Sequence, residues 1–275
     1  MKTKTLFATY GSVIASFKDV KDRQNLLLED FGEERIYYAP FDYVNPKARL
    51  FIVGITPGEV QMNNMLVEAA RLIHQGFSDE DVLKRCKAVG SFSGPMRKNL
   101  VELMDEAGIA EFLDIKTTAQ LFSDKQDLVN LTSCIRYPTF TIKNDKETNF
   151  NAEIKQGTKL FEFAAPLTLE ELNKAPNAVL LPLGPKVQHY LEKVVKGTKF
   201  ENRLLPELPH PSRANGERIA YFLGQKAKEK LSRLTDPEKL DNSKKNMKKI
   251  LKSLKVKGSK LREKIDSKTV GKPDY

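Results

Sequence analysis

Pro209-His210-Pro211-Ser212 holds the side chain best suited to chemistry in this 275-residue chain. The two prolines fix their own φ and restrict the residue before each, so the imidazole between them is confined to few backbone conformations. An imidazole aimed this way can donate or accept a hydrogen bond at a fixed point; read alone, the same tetrapeptide is also an ordinary surface turn. A short apolar run, Leu204 to Leu208, precedes it and a helix-like stretch, Glu217 to Leu223, follows. That context puts the loop at the carboxyl end of a strand, where open α/β sheets bind ligands.

Three other stretches carry groups that fit the same kind of site. Gly54-Ile55-Thr56-Pro57-Gly58-Glu59 follows the apolar run Leu50 to Val53, and its small residues let a ligand approach the backbone closely. The Thr56 hydroxyl can position water but is no base at neutral pH, and Glu59 is the nearby carboxylate that can serve as one. Asn130, within Leu128 to Pro138, offers a donor and an acceptor on one amide. Phe92, within Ser91-Phe92-Ser93-Gly94-Pro95, is either a ring on which a base stacks or an ordinary core residue.

Taken in this order, the stretches resemble the motifs of the uracil-DNA glycosylase superfamily. The resemblance covers roughly Tyr37 to Leu223 and is closer to the bacterial and archaeal branches than to the best-known family 1 uracil enzymes. It implies a monofunctional, metal-independent glycosylase that hydrolyses the N-glycosidic bond of uracil or a related modified pyrimidine flipped out of DNA. By that likeness His210 would donate a hydrogen bond to the pyrimidine O2, Asn130 would read the N3–H and O4 edge, and Phe92 would stack on the base. Gly54, Ile55 and Gly58 would line the base. Thr56 stands where the best-known branch has a water-orienting aspartate, which leaves Glu59 as the candidate base. Gly58 stands where those enzymes carry a tyrosine against the thymine methyl, so the pocket is expected to tolerate groups at C5.

The same likeness places Ser212, Arg213, Asn215, Arg218 and Arg136 on DNA. Relatives put a wedge where Arg213 and Asn215 lie, and no leucine stands there, so single-stranded or mismatched DNA is the expected partner. Some relatives hold an iron–sulfur cluster on four cysteines; Cys134 falls at one ligand place, but no cysteine precedes Cys86, so no cofactor is expected. Thr56 also supports an alternative, a nucleic-acid-binding module of the same fold that recognises a modified base without hydrolysing it.

Composition sets the outer bounds. The net charge of +10 is concentrated in Gln225 to Tyr275, which holds 17 of the 46 Lys+Arg and 7 of the 36 Asp+Glu; the preceding part is balanced. Such a segment favours polyanions, because each neutralised phosphate releases counterions. Two cysteines without C-x-x-C spacing indicate neither a disulfide framework nor a zinc site. Leu6 to Phe17 has a faint signal-peptide look, interrupted by Tyr10, Gly11 and Ser12. No run approaches the ~20 apolar residues of a membrane span. A cytoplasmic protein with no membrane association and no obligate protein partner is the expectation.

The elements that must position these groups follow from periodicity. Apolar strands are expected at Leu50 to Val53, Asp127 to Cys134, Ala178 to Gly184 and Arg203 to Leu208. Helical spacing marks Met62 to Gln75, Ser78 to Lys87 with Ser78 as N-cap, Gly94 to Gly108, Phe161 to Leu172 with Thr168 capping its second half, and Pro185 to Val195. Strands alternating with helices predict a three-layer α/β/α sandwich around a central four-stranded parallel sheet, spanning residues 1–234. Residues 18 to 31 are expected as a flanking helix and 139 to 157 as an exposed loop. Met247, Ile250, Leu251 and Leu254, among lysines, predict a basic amphipathic helix within a 235–275 tail that is helical or partly disordered.

Overall fold

The structure, a computed structural model, describes the backbone of residues 5–91 and 95–269, and the side chains of all these except 20–22, 95 and 257–269. In chain order the elements are α1 (Leu6–Ala15), β1 (Leu27–Asp30), β2 (Glu34–Tyr37), β3 (Leu50–Gly54), α2 (Glu59–His74), α3 (Asp79–Gly90), α4 (Pro95–Glu106) and α5 (Ile109–Leu113). They continue with β4 (Val129–Ser133), β5 (Thr139–Lys143), β6 (Lys146–Asn149), α6 (Lys159–Lys174), β7 (Val179–Pro182), α7 (Pro185–Val195), α8 (Gly216–Phe222) and α9 (Pro237–Thr269).

β3 is the centre of a parallel sheet of order β4-β3-β7. All five of its residues are buried, as expected for a strand covered on both faces. Successive side chains alternate: Phe51 and Val53 face a core built with α1, α2, α3, α6 and α7, whereas Leu50 and Ile52 face one built with α4, α5, α8 and α9. The result is three layers, with a parallel sheet of three hydrogen-bonded strands rather than four. The expected fourth strand lies beside β7 through two parallel bridges, Leu180 to Leu204 and Leu183 to Leu208. Pro182 and Pro206 have no N–H to donate, which reduces that edge to a few bonds, among them Leu205 N to Leu180 O at 2.9 Å and Leu208 N to Pro182 O at 3.0 Å.

A second, antiparallel sheet of order β1-β2-β5-β6 replaces the expected flanking helix and exposed loop. Residues 18 to 31 fold instead as a 3-10 turn, Val20–Leu26, leading into β1. The β5–β6 hairpin turns through Asn144 and Asp145, both at positive φ (50° and 58°), which is the backbone of a two-residue turn matched to strand twist. α6 is one continuous helix containing Pro166, capped by Thr158; Thr168 spends its hydroxyl on Tyr190 and the carbonyls of Ala164 and Cys134. Ser78 caps α3 as expected, and Gly108 at φ 87° follows α4, a conformation that favours glycine.

The first half of α9 is part of the fold. Met247 and Leu251 are buried in the second core, with Leu240, Ile250 and Leu254 packed against it. Ser243 donates to the Glu207 carbonyl at 2.6 Å, Lys244 pairs with Glu106 at 2.6 Å and Lys255 with Asp114 at 2.8 Å. Among the described residues no helix is long and apolar enough to cross a membrane.

A buried ionic group ties the first layer to the sheet. Arg136 is 5% exposed; its Nε donates to Glu171 at 2.7 Å and its NH2 group to the Leu167 carbonyl at 2.9 Å. Lys87, also buried, donates to the carbonyls of Phe41 and Tyr43, and burial lowers its pKa to about 8. Glu171→Ala leaves two buried cations without their carboxylate and is expected to cost about 3–5 kcal/mol in urea-unfolding stability. In the hairpin, Asp145→Gly is expected to raise urea-unfolding stability by about 0.5–1 kcal/mol, because glycine takes positive φ without strain.

Candidate active site

Two loops leave the carboxyl ends of the parallel strands side by side, and the sheet sets their spacing. β3 delivers Gly54 to Glu59, and the edge segment at Leu208 delivers the His210 loop, with β7 between them. Two strand spacings put the two strand ends about 10 Å apart. Gly184, at φ 91°, turns the chain out of β7 beneath that gap; an added Cβ there would stand 3.7 Å from the His210 Cβ.

The His210 loop is pinned at several points. Asn99 of α4 donates to the Pro211 carbonyl at 2.9 Å, and Gly184 N donates to the Leu208 carbonyl at 2.9 Å. Ser212 N donates to His210 Nδ1 at 3.3 Å. A backbone N–H can only donate, so Nδ1 is the accepting nitrogen and Nε2 carries the proton. Burial lowers the His210 pKa, so the ring is neutral at pH 7. The arrangement is therefore a half-buried, neutral imidazole with a fixed N–H donor.

The β3 loop is held with comparable rigidity. The β3–β4 ladder runs on past the strand ends, Cys134 N to Gly54 O at 2.9 Å and Ile135 N to Ile55 O at 3.0 Å. Thr56 donates its hydroxyl proton to the Tyr137 carbonyl at 2.9 Å, leaving its oxygen lone pairs as acceptors for water. Gly58 N donates to Gln61 Oε1 and Glu59 N to Asn149 Oδ1, from the end of β6. A Cβ on Gly58 would meet those two acceptors at 3.0 and 3.3 Å, so close capping accounts for glycine there. Glu59 is exposed, opens α2 and pairs with Arg23 at 2.8 Å. The ion pair and the helix N-terminus hold the carboxylate in place at the start of α2.

Not every residue expected at the site is brought there. Asn130 is level with Phe51 and Leu180, near the amino end of β4, whereas His210 follows Leu208 at the other end of the sheet. Three strand spacings and four residues separate Asn130 from Leu208, on the order of 20 Å. Asn130 is 2% exposed; its Oδ1 accepts from Asn45 N at 3.0 Å, and its Nδ2 has no partner among the described residues. It lines a cavity of about 800 Å³ with Tyr43, Lys87, Arg97 and Phe122. Ser133, not Asn130, is the β4 residue paired with Gly54. Phe92 lies outside the described residues.

Arg136, expected on DNA, faces the interior instead, where Glu171 neutralises it. Arg213 and Arg218 are exposed beside Ser212 and Asn215. Asn215 donates to Ser212 Oγ at 3.1 Å, and Arg218 donates to Asn215 Oδ1 at 2.7 Å. Cys86 and Cys134 are free, buried thiols; burial pushes Cys86 up to about 12 and Cys134 well above its usual value. Among the described residues no group of three or more His, Cys, Asp or Glu side chains is placed to hold a metal ion.

No protein-family model matches the chain. The crystal structure of wild-type Pedobacter heparinus SMUG2 aligns with 64% of this chain and 74% of its own, at 17% identity and a TM-score of 0.35, a superposition too loose to carry an argument. A relative in sequence is the uncharacterized protein YoxB of Bacillus subtilis (strain 168), 34% identical over 219 residues, covering 77% of this chain and 84% of the relative. At that identity and coverage, the chain belongs to the family of YoxB.

Proposed function

We propose that the protein is a DNA glycosylase that hydrolyses the N-glycosidic bond of uracil or a related modified pyrimidine held out of the base stack. The observation that carries the reading is His210: a neutral imidazole whose Nδ1 is engaged by Ser212 N and whose Nε2–H is left to donate, at the same sheet end as the Gly54 to Glu59 loop. As the glycosidic bond breaks, negative charge develops on the base. A fixed donor aimed at the base O2 stabilises that charge without reorganising, an effect typically worth about 3–4 kcal/mol. Thr56 would hold the water that adds to the sugar carbon, its lone pairs accepting a water proton. With Glu59 tied to Arg23, catalysis rests on the leaving base more than on activated water.

A second reading keeps the DNA and drops the hydrolysis. The same two contacts favour it: Thr56 is no base, and Glu59 is held in an ion pair. A binding module would need only the rigid loops and their cationic surroundings.

The two readings part in an assay for abasic-site cleavage, using single-stranded and mismatched duplex oligonucleotides that contain uracil or 5-hydroxymethyluracil. The glycosylase reading expects product, lowered about 100- to 1,000-fold by His210→Ala; DNA binding without product from any substrate leaves the binding module. Acid stability gives an independent check on the imidazole. Because its folded pKa lies below the unfolded value near 6.5, His210 contributes stability above that value and loses it as pH falls through the folded pKa. The stability difference between wild type and His210→Gln is expected to be constant above about pH 7.5 and to shrink in acid, as followed by urea unfolding.

The basic C-terminal helix would add non-specific affinity. α9 starts beside Glu207 and runs towards Asp114, away from the His210 loop, so its lysines would meet flanking DNA rather than the base. Met247 and Leu251 are core residues, so charge removal at exposed Lys245, Lys249 and Lys252 is a cleaner test than deletion. The triple alanine variant is expected to flatten the dependence of log K on log salt, by up to about 0.9 per lost phosphate contact.

A further inference from the structure

The cavity beside Asn130 lies toward the amino end of the parallel sheet, and no step of the proposed chemistry uses it. Its volume of about 800 Å³ falls within the ~300–1,000 Å³ of small-molecule sites. Three successive residues of β4, Val129, Asn130 and Leu131, line it, and β4 is an edge strand. The register decides which main-chain groups that edge leaves open. On either side of β4, Leu128 O accepts from Arg49 N and Cys134 N donates to Gly54 O, both at 2.9 Å, so the even-numbered residues bond to β3 and the odd-numbered ones point away. Val129 has both groups engaged, its N–H on the Gln126 carbonyl and its C=O on Asn45 Nδ2 at 3.0 Å. Leu131 is the next odd residue. Among the described residues nothing bonds to its N–H or its C=O on the open side.

The lining adds apolar and charged groups to this strand edge. Val44, Leu121 and Val129 are buried there, and Phe122 carries the Arg97 guanidinium 4.9 Å from its ring centre. Exposed Lys47, Lys84, Glu80 and Asp127 also line the cavity, and their side chains join no hydrogen bond or ion pair among the described residues. A polyanion would meet two carboxylates here. A purely apolar molecule would leave all four charges and the Leu131 amide unused. A short peptide with free ends matches the whole set: an ammonium for Glu80 and Asp127, a carboxylate for Lys47 and Lys84, and an extended amide for Leu131.

We infer that this cavity binds a short peptide with free termini, added as an extended strand to the open edge of β4. Main-chain pairing with Leu131 supplies the orientation, and the opposite charges at the rim select a ligand short enough to present both of its ends. The site stands apart from the proposed action on DNA and holds whether or not that reading does.

The test is native mass spectrometry of the full chain mixed with a pool of tripeptides that differ only in the central residue, followed by calorimetry on the member retained best. Wild type is expected to hold a single tripeptide per chain. Acetylating and amidating the ends of that tripeptide, or N-methylating its central amide, is expected to weaken binding by about tenfold or more. In the protein, Ala88→Trp fills the cavity from an exposed position of α3 and is expected to abolish binding. The double variant Lys47→Gln and Lys84→Gln, at exposed positions, is expected to weaken it about tenfold. Retention of no tripeptide by wild type overturns the proposal. So does binding that is unchanged by blocked ends, by N-methylation or by the two sets of substitutions.

Discussion

The height of every loop at the carboxyl end of the sheet is set by one parallel register. Gly54 lies opposite Ser133, Val53 opposite Pro182 and Leu183 opposite Leu208. Shifting any strand by one residue would exchange the faces of Phe51 and Ile52, or of Leu180 and Leu181, and drive each core's side chains into the other layer. The two apolar cores therefore fix the register, and the register fixes where Thr56 and His210 stand. The bonds that continue the ladder beyond β3 and β4 carry this precision into the loop itself.

The same economy explains a costly feature. Arg136 and Lys87 are charged and buried, and hydrophobic replacements of such groups are often neutral or stabilising. Their place accounts for them: Lys87 holds the Phe41 and Tyr43 carbonyls, Asp42 accepts from the hydroxyls of Tyr38 and Tyr137, and Tyr137 presents the carbonyl that receives the Thr56 hydroxyl. The cluster converts burial energy into a fixed backbone beneath the first loop. A purely apolar contact there would fill space without orienting a carbonyl.

How much of this was legible in the sequence follows from how local each cause is. The β3 run, the helix-capping Ser78, the closing Gly108 and the proline-flanked histidine are set by neighbours a few residues away, and they read directly. The β5–β6 hairpin was also written locally, in Asn144-Asp145, but its strands are polar on their outer face and look like loop. β2 takes its conformation from pairing with β5, a contact a hundred residues distant, and β1 from pairing with β2. Asn130 is where the reading of a motif and the register disagree: its place within Leu128 to Pro138 resembles that of a base-reading asparagine, yet the ladder places Ser133 level with Gly54.

On the proposed reading, what the site lacks constrains its substrate as much as what it holds. One neutral donor, a threonine hydroxyl and no unpaired carboxylate in the described loops can stabilise a departing base but cannot generate hydroxide. Bond breaking must then run ahead of water attack, and the barrier depends on how well the base carries negative charge. Pyrimidines whose ring nitrogen is acidic, uracil and its derivatives with electron-withdrawing groups at C5, are the bases such a site can release. A neutral histidine suits this better than a protonated one. A neutral donor develops its interaction as charge appears on the base, so more of its effect falls in the transition state and less is lost to ground-state binding. The burial that keeps His210 uncharged is thus the property on which the selectivity of the site for good leaving groups would depend.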